Sequence, residues 1–275
     1  MKLSDPKTVL QLENIKKVFF PGSFDEVTAL NGVNLEVKDG DFVTIIGSNG
    51  AGKSTMLNVV AGVFPPEKGG KVIINDRDVT RIPEYKHSAY VGRVWQQPGV
   101  GTAKDLTIEE NLSMAVMRAK RKGLRLATNK KRREQFREAL SLLRFGLEDR
   151  LNALVGTLSG GQRQALSLVM ATISKPSILL LDEHIASLDP KTAKTVMELT
   201  GLIVGREKMT AMMVTHNMDI ALAYGTRLVM MHQGKILVDI EEDKKKTLTV
   251  DDLISAFENA AGERFSDDKV MLKEI

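Results

Sequence analysis

Eight consecutive residues, Gly47-Ser48-Asn49-Gly50-Ala51-Gly52-Lys53-Ser54, combine what is needed to hold a chain of phosphates. Glycines let backbone amides approach an anion closely, a lysine adds positive charge, and a serine hydroxyl can ligate a divalent metal. Thr55 follows at once, so the hydroxyl-bearing end runs straight into the next element. A second cluster, Ile178-Leu179-Leu180-Leu181-Asp182-Glu183, places two carboxylates after four apolar residues. One of them, Asp182, is suited to hold Mg²⁺ through water, and Glu183 to polarise a water attacking a phosphate. A third cluster, Leu158-Ser159-Gly160-Gly161-Gln162, again offers a hydroxyl and two glycines before an apolar run. It reads as a second anion site at a helix start.

Each cluster needs a particular element beneath it. Phe42-Val43-Thr44-Ile45-Ile46 is β-branched and apolar, so a buried strand is expected to enter the phosphate loop and a helix to leave it over 53–62. Further strands are expected over 71–75, 89–95, 178–182, 211–214, 227–232 and 235–239. Helices are expected over 160–174, 190–204 and 217–224, with Pro176 barring continuation of the first and Pro190 opening the second. Strands alternating with helices imply a largely parallel sheet covered on both faces. The stretch 108–145 departs from that alternation. It is charged and helical, broken near Gly123 and stopped by Gly146. Taken without the glycine-rich loop upstream, an apolar strand ending in acids is common, and carries little weight.

Composition removes several alternatives. The 275 residues contain no cysteine, which excludes disulfides and thiolate metal sites. No apolar run approaches the roughly 18–20 residues of a membrane span, and the first six residues lack the apolar run of a signal peptide. Net charge is +4, with basic residues crowded between Arg118 and Arg137: Lys120, Arg121, Lys122, Arg125, Lys130, Lys131, Arg132 and Arg133. Phe136 is the sole aromatic there, so stacking on bases has little support, and no nucleic-acid partner is expected.

One chain already owns a phosphate cradle, so a second anion site suggests contact with a nucleotide held by another copy. In this order and spacing the three clusters resemble the ATPase subunit of ABC transporters, a likeness extending over residues 9–239. The resemblance implies an α/β P-loop NTPase fold. Its RecA-like, mostly parallel sheet core would span about 8–97 and 163–240, with an inserted all-helical subdomain over about 98–162. An antiparallel β portion would lie near the N-terminus, and 241–275 would form a short helical extension. It also implies further site residues. Gln96, in Val94-Trp95-Gln96-Gln97-Pro98, matches the loop glutamine that contacts Mg²⁺ and senses the membrane partner. His216, in Val214-Thr215-His216-Asn217, matches the switch histidine that hydrogen-bonds the γ-phosphate. Ala186-Ser187-Leu188-Asp189-Pro190 matches the loop that crosses the dimer interface, and Phe19 falls where an aromatic meets the adenine, with Phe20 its near competitor. His184 and Ile185 depart from relatives that have proline and a small polar residue there.

By the same resemblance ATP and Mg²⁺ are the expected ligands. The expected partners are a second copy arranged head to tail, separate transmembrane permease subunits, and an extracytoplasmic solute-binding protein. The chain would then work at the cytoplasmic face of the cell membrane. The run from Asp182 to Lys194, taken with Gly47-Ser48-Asn49-Gly50, is similar to ATPases of bacterial branched-chain-type amino-acid importers and to a group linked to tryptophan and tyrosine uptake. An exporter subunit is the alternative. A soluble ABC ATPase acting on DNA or ribosomes is less favoured, because neither a long coiled coil nor a second cassette is present.

Overall fold

The computed structural model describes residues 7–118 and 129–261. Lys120, Arg121, Lys122, Arg125, the break expected at Gly123, the first six residues and the tail beyond 261 lie outside them. The described chain divides into two compact units, one built from residues up to 87 together with those from 209 onward, the other from 88–208.

The first unit begins with a long antiparallel pair, β1 (Thr8–Phe19) and β2 (Val27–Lys38). Strand β3 (Phe42–Gly47) runs into helix α1 (Lys53–Val60), followed by β4 (Lys71–Ile74), β5 (Arg77–Asp78) and the short α2 (Glu84–His87). Strands β2, β1, β4 and β5 lie in that order in an antiparallel sheet. The second unit contains β6 (Val91–Val94), α3 (Ile108–Val116), α4 (Lys130–Ser141), α5 (Gly160–Thr172), β7 (Ile178–Asp182) and α6 (Pro190–Arg206). The chain then returns to the first unit with β8 (Ala211–Val214), α7 (Met218–Ala223), β9 (Arg227–His232), β10 (Lys235–Ile240), α8 (Glu242–Lys245) and α9 (Val250–Ala261).

In the first unit β3 is parallel to both β8 and β9, and β10 closes that edge antiparallel to β9. In the second unit β6 and β7 pair in parallel, with Arg93 opposite Leu180 and Val94 opposite Leu181. Strands β3, β7 and β8 are buried along almost their whole length, as apolar strands covered on both faces must be. The tail helix α9 contributes Leu253 and Phe257 to a core with Ile46, Met218, Leu228 and Met230. Apolar spacing along 249–261 therefore reports a helix packed on its own unit. Among the described residues no helix is long and apolar enough to cross a membrane.

Candidate functional site

The phosphate loop joins β3 to α1 in the first unit, and its shape requires its glycines. Gly52 has φ 95°, and a Cβ there would stand 2.3 Å from the carbonyl oxygen of Ala29. At Gly47 a Cβ would lie 2.1 Å from the Met231 carbonyl oxygen, so the loop lies directly on the end of β9, where the β9–β10 turn begins. That turn supports it further: the Gly234 amide donates to Ala51 O at 3.1 Å, and Ser48 Oγ lies 3.4 Å from His232 Nδ1. Lys53 is buried and its Nζ donates to Gly47 O at 2.7 Å and Ser48 O at 2.9 Å. The ammonium is thereby held over the loop; Ser54 is exposed and Thr55 half-buried.

Helix α1 differs from the other helices in how it starts. Among the described helices of eight residues or more, α3, α4, α5, α6 and α9 all have side-chain N-caps, from Thr107, Asn129, Ser159, Asp189 and Thr249. Helix α1 has Gly52 at that place and no side-chain cap. Its first amides have no intrahelical acceptor, and no acidic side chain occupies the first turn. That is the arrangement an anion completes. Ser54, Asp182 and Gln96 each carry a side-chain oxygen of the hard kind that divalent cations take. Among the described residues no cluster of three or more His, Cys, Asp or Glu could hold a metal by itself. Few protein ligands, with substrate phosphates supplying others, is how Mg²⁺ is usually held.

His216, half-buried, follows β8 in the same unit. The Phe19 ring packs edge-on against Phe64 with centroids 5.3 Å apart, and Lys17 Nζ lies 5.7 Å from its centre. Phe20 is 67% exposed with φ 52°.

The second unit holds the carboxylates. Asp182 ends β7, and Glu183 turns off it with φ 44°, a left-handed conformation costing about 1 kcal/mol for a residue with a side chain. Gln96 is exposed, and its backbone oxygen accepts from Ser187 Oγ at 3.0 Å. Gln164 inside α5 is buried and donates its side-chain amide to Trp95 O at 3.0 Å and to His184 O. The loop carrying Gln96 is thus tied to the segment after Glu183 at two places.

At the start of α5, Ser159 and Gln162 form a reciprocal capping box. The Ser159 oxygen accepts from the Gln162 amide at 3.2 Å, which leaves the hydroxyl proton available to donate outward. A Cβ on Gly161 would collide with Thr192 Cγ2 at 2.1 Å, so close helix packing requires that glycine. Gly160 is different. A Cβ there would meet only Leu188 Cδ2, at 3.7 Å, so nothing within the chain excludes a side chain. Asp189 caps α6 by accepting from the Thr192 amide at 3.1 Å, and hydrogen bonds from Thr192 hold its carboxyl below the usual range.

His184 explains its own departure from the commoner residue. It is fully buried, its Nε2 lies 3.0 Å from Thr200 Oγ1, and burial pushes its imidazole down to about 4. Thr200 already donates its single proton to Val196 O at 2.8 Å, so His184 Nε2 must be the donor. The side chain anchors the segment after Glu183 to α6 from inside.

Two residues, Arg93 and Gln164, are not marked by the motifs. Their only signal in the sequence is polarity at positions inside apolar elements. Arg93 lies between Gly92 and Val94 in a short strand, and Gln164 precedes Ala165-Leu166 in an apolar helix.

Comparison with known proteins settles the family. The profile of the ABC transporter family matches residues 30–186. This chain belongs to that family. It is 43% identical over 257 residues to the tyrosine transport ATP-binding protein of Clostridioides difficile, covering 92% of this chain and 100% of that one. It is 32% identical to the spermidine/putrescine import ATP-binding protein of Haemophilus ducreyi, over 87% of this chain and 60% of the relative. Among solved structures, a dimeric ATP-binding cassette in a post-hydrolysis state with ADP and Pi matches with TM-score 0.72 and 28% identity, over 85% of this chain and 98% of the other. The ADP conformation of another ABC cassette matches with TM-score 0.72 and 26% identity over 93% of this chain. The chain is an ABC-type ATPase: it binds and hydrolyses ATP, on the α/β P-loop fold expected from its motifs.

Proposed function

We propose that this ATPase drives a bacterial importer of a small solute such as an amino acid, with an aromatic amino acid as the first candidate. The observation that carries the reading is the 43% identity to a tyrosine transport ATP-binding protein across that relative's whole length. The spermidine/putrescine relative, an import subunit by its name, supports the inward direction.

The residue roles are those that the family resemblance implies, and the side-chain chemistry suits them. Lys53 and the amides at the start of α1 grip the β- and γ-phosphates, and Phe19 lies against the adenine. Ser54, Asp182 and Gln96 are the groups that would hold Mg²⁺, which neutralises developing phosphate charge. Glu183 accepts a proton from the attacking water, and His216 donates to the γ-phosphate. Ser159, Gly160, Gly161 and Gln162 serve the nucleotide of a second copy, arranged head to tail, with Asp189 in the loop that meets it. Support comes from Gly160, which its own chain leaves uncrowded, and from the dimeric form of the similar cassette.

As the family resemblance implies, transport uses separate permease subunits, with this chain docked at their cytoplasmic face. An extracytoplasmic solute-binding protein completes the importer. The test is co-purification of the tagged chain from gently solubilised native membranes, followed by mass spectrometry. A multi-span permease together with a solute-binding lipoprotein is the expected catch, and ligand carried by the lipoprotein names the substrate. A permease without a binding protein would favour export, and soluble partners alone would overturn the transport reading.

A further inference from the structure

Strand β6 carries one charged side chain, Arg93, and it is nearly buried: 8% of the side chain is exposed, against 13% for Asp182. Its Nη2 donates to Asp182 Oδ2 at 3.0 Å. On its other side the guanidinium carbon lies 3.5 Å from the centre of the Trp95 ring. One planar cation therefore bridges the carboxylate at the end of β7 and the aromatic immediately before Gln96. Such a geometry needs arginine, because the flat fork can pair with a carboxylate while its face lies on a ring.

We propose that Arg93 is a positioning residue that fixes the Asp182 carboxylate and transmits metal occupancy at that carboxylate to Trp95, and so to the loop carrying Gln96. The proposal rests on the reading of Asp182 as a metal-site carboxylate. A divalent cation near Asp182 competes with the guanidinium for the same negative charge and repels it. Sheltered from water, that repulsion is weakly screened. One face of the guanidinium lies on the Trp95 ring, so a shift of the cation reaches that ring directly. The loop beyond cannot absorb the shift silently, because Trp95 O is held by Gln164 and Gln96 O by Ser187.

Trp95 is the only tryptophan, so the full-length chain reports on itself. With the protein saturated by a non-hydrolysable ATP analogue and EDTA, excess Mg²⁺ should change Trp95 emission, and EDTA should reverse the change. Arg93→Met, which fills the space without the charge, should bind the analogue yet lose the metal-dependent change. Arg93→Lys, which keeps the charge and tests the result should Arg93→Met fail to fold, should show the change reduced by more than half. Either variant keeping the whole metal-dependent change, or wild-type protein that binds the analogue showing none, would overturn the proposal. Binding is measured separately with a radiolabelled analogue. Failure of wild-type protein to bind would instead overturn the nucleotide-site assignment, and this proposal with it.

Discussion

His184 Nε2 and Thr200 Oγ1 lie 3.0 Å apart with both side chains buried, and that burial favours the neutral imidazole. Its folded-state value of about 4 is below the ordinary 6.5, so between those values the unfolded chain binds a proton that the folded chain does not. Stability associated with neutral His184 is therefore complete above about pH 6.5 and falls as pH drops towards 4. Between pH 7 and pH 5 the loss is about 2 kcal/mol. Urea unfolding of wild type and His184→Gln at both pH values should show their stability difference shift by that amount in favour of the variant at pH 5. A difference independent of pH would show that the imidazole titrates normally.

Gly52 and Gly160 should respond oppositely to the same added methyl. Gly52→Ala forces a side chain into a left-handed conformation and against the Ala29 carbonyl, costing about 2–4 kcal/mol. Gly160→Ala has room within the chain and sits at the first position of α5, so its melting temperature should move by no more than a degree or two. Its ATPase rate should nonetheless fall about tenfold or more, because a partner's phosphates need the close approach. Thermal melts and phosphate release on the two variants check both halves.

Gln164 ties Trp95 to His184 through one amide group. Gln164→Met leaves both carbonyls without that donor, and a loss of about 1–3 kcal/mol in stability is expected. ATP affinity should change little, since Gln164 touches no phosphate-binding group. The hydrolysis rate should drop about tenfold or more through displacement of the Gln96 loop. Steady-state kinetics should therefore show a lower kcat at a nearly constant KM.

The sequence was most informative where one element carries both burial and chemistry. Strands 178–182, 211–214 and 227–232 appear with the bounds expected, because short apolar runs between helices in a covered sheet leave little choice of register. The phosphate loop was legible for the same reason, with glycine spacing and the flanking elements agreeing. The hairpin of β1 and β2 was not read strand by strand. Its register shifts between Leu12 and Ile15 and again between Lys17 and Val18, which breaks the two-residue alternation that marks a strand. Arg93 and Gln164 were invisible for another reason: a polar residue in an apolar element acquires meaning only from its partner in space. The departure at His184 has a physical basis, since its imidazole fills a buried site with a hydrogen bond. No structural reason emerges for Ile185.

The central claim is a two-site ATPase in which one copy completes the other's nucleotide site. Its most direct test is the mass of Glu183→Gln protein with saturating Mg-ATP, measured by size-exclusion chromatography with light scattering. On the proposed role of Glu183 as the carboxylate that activates water, hydrolysis should fall by about a hundredfold or more and the closed form should persist. The account predicts a dimer of about twice the 30.3 kDa chain mass, with two ATP bound, that reverts to monomer when ATP is removed. A monomer at every protein concentration, with ATP bound, would contradict it.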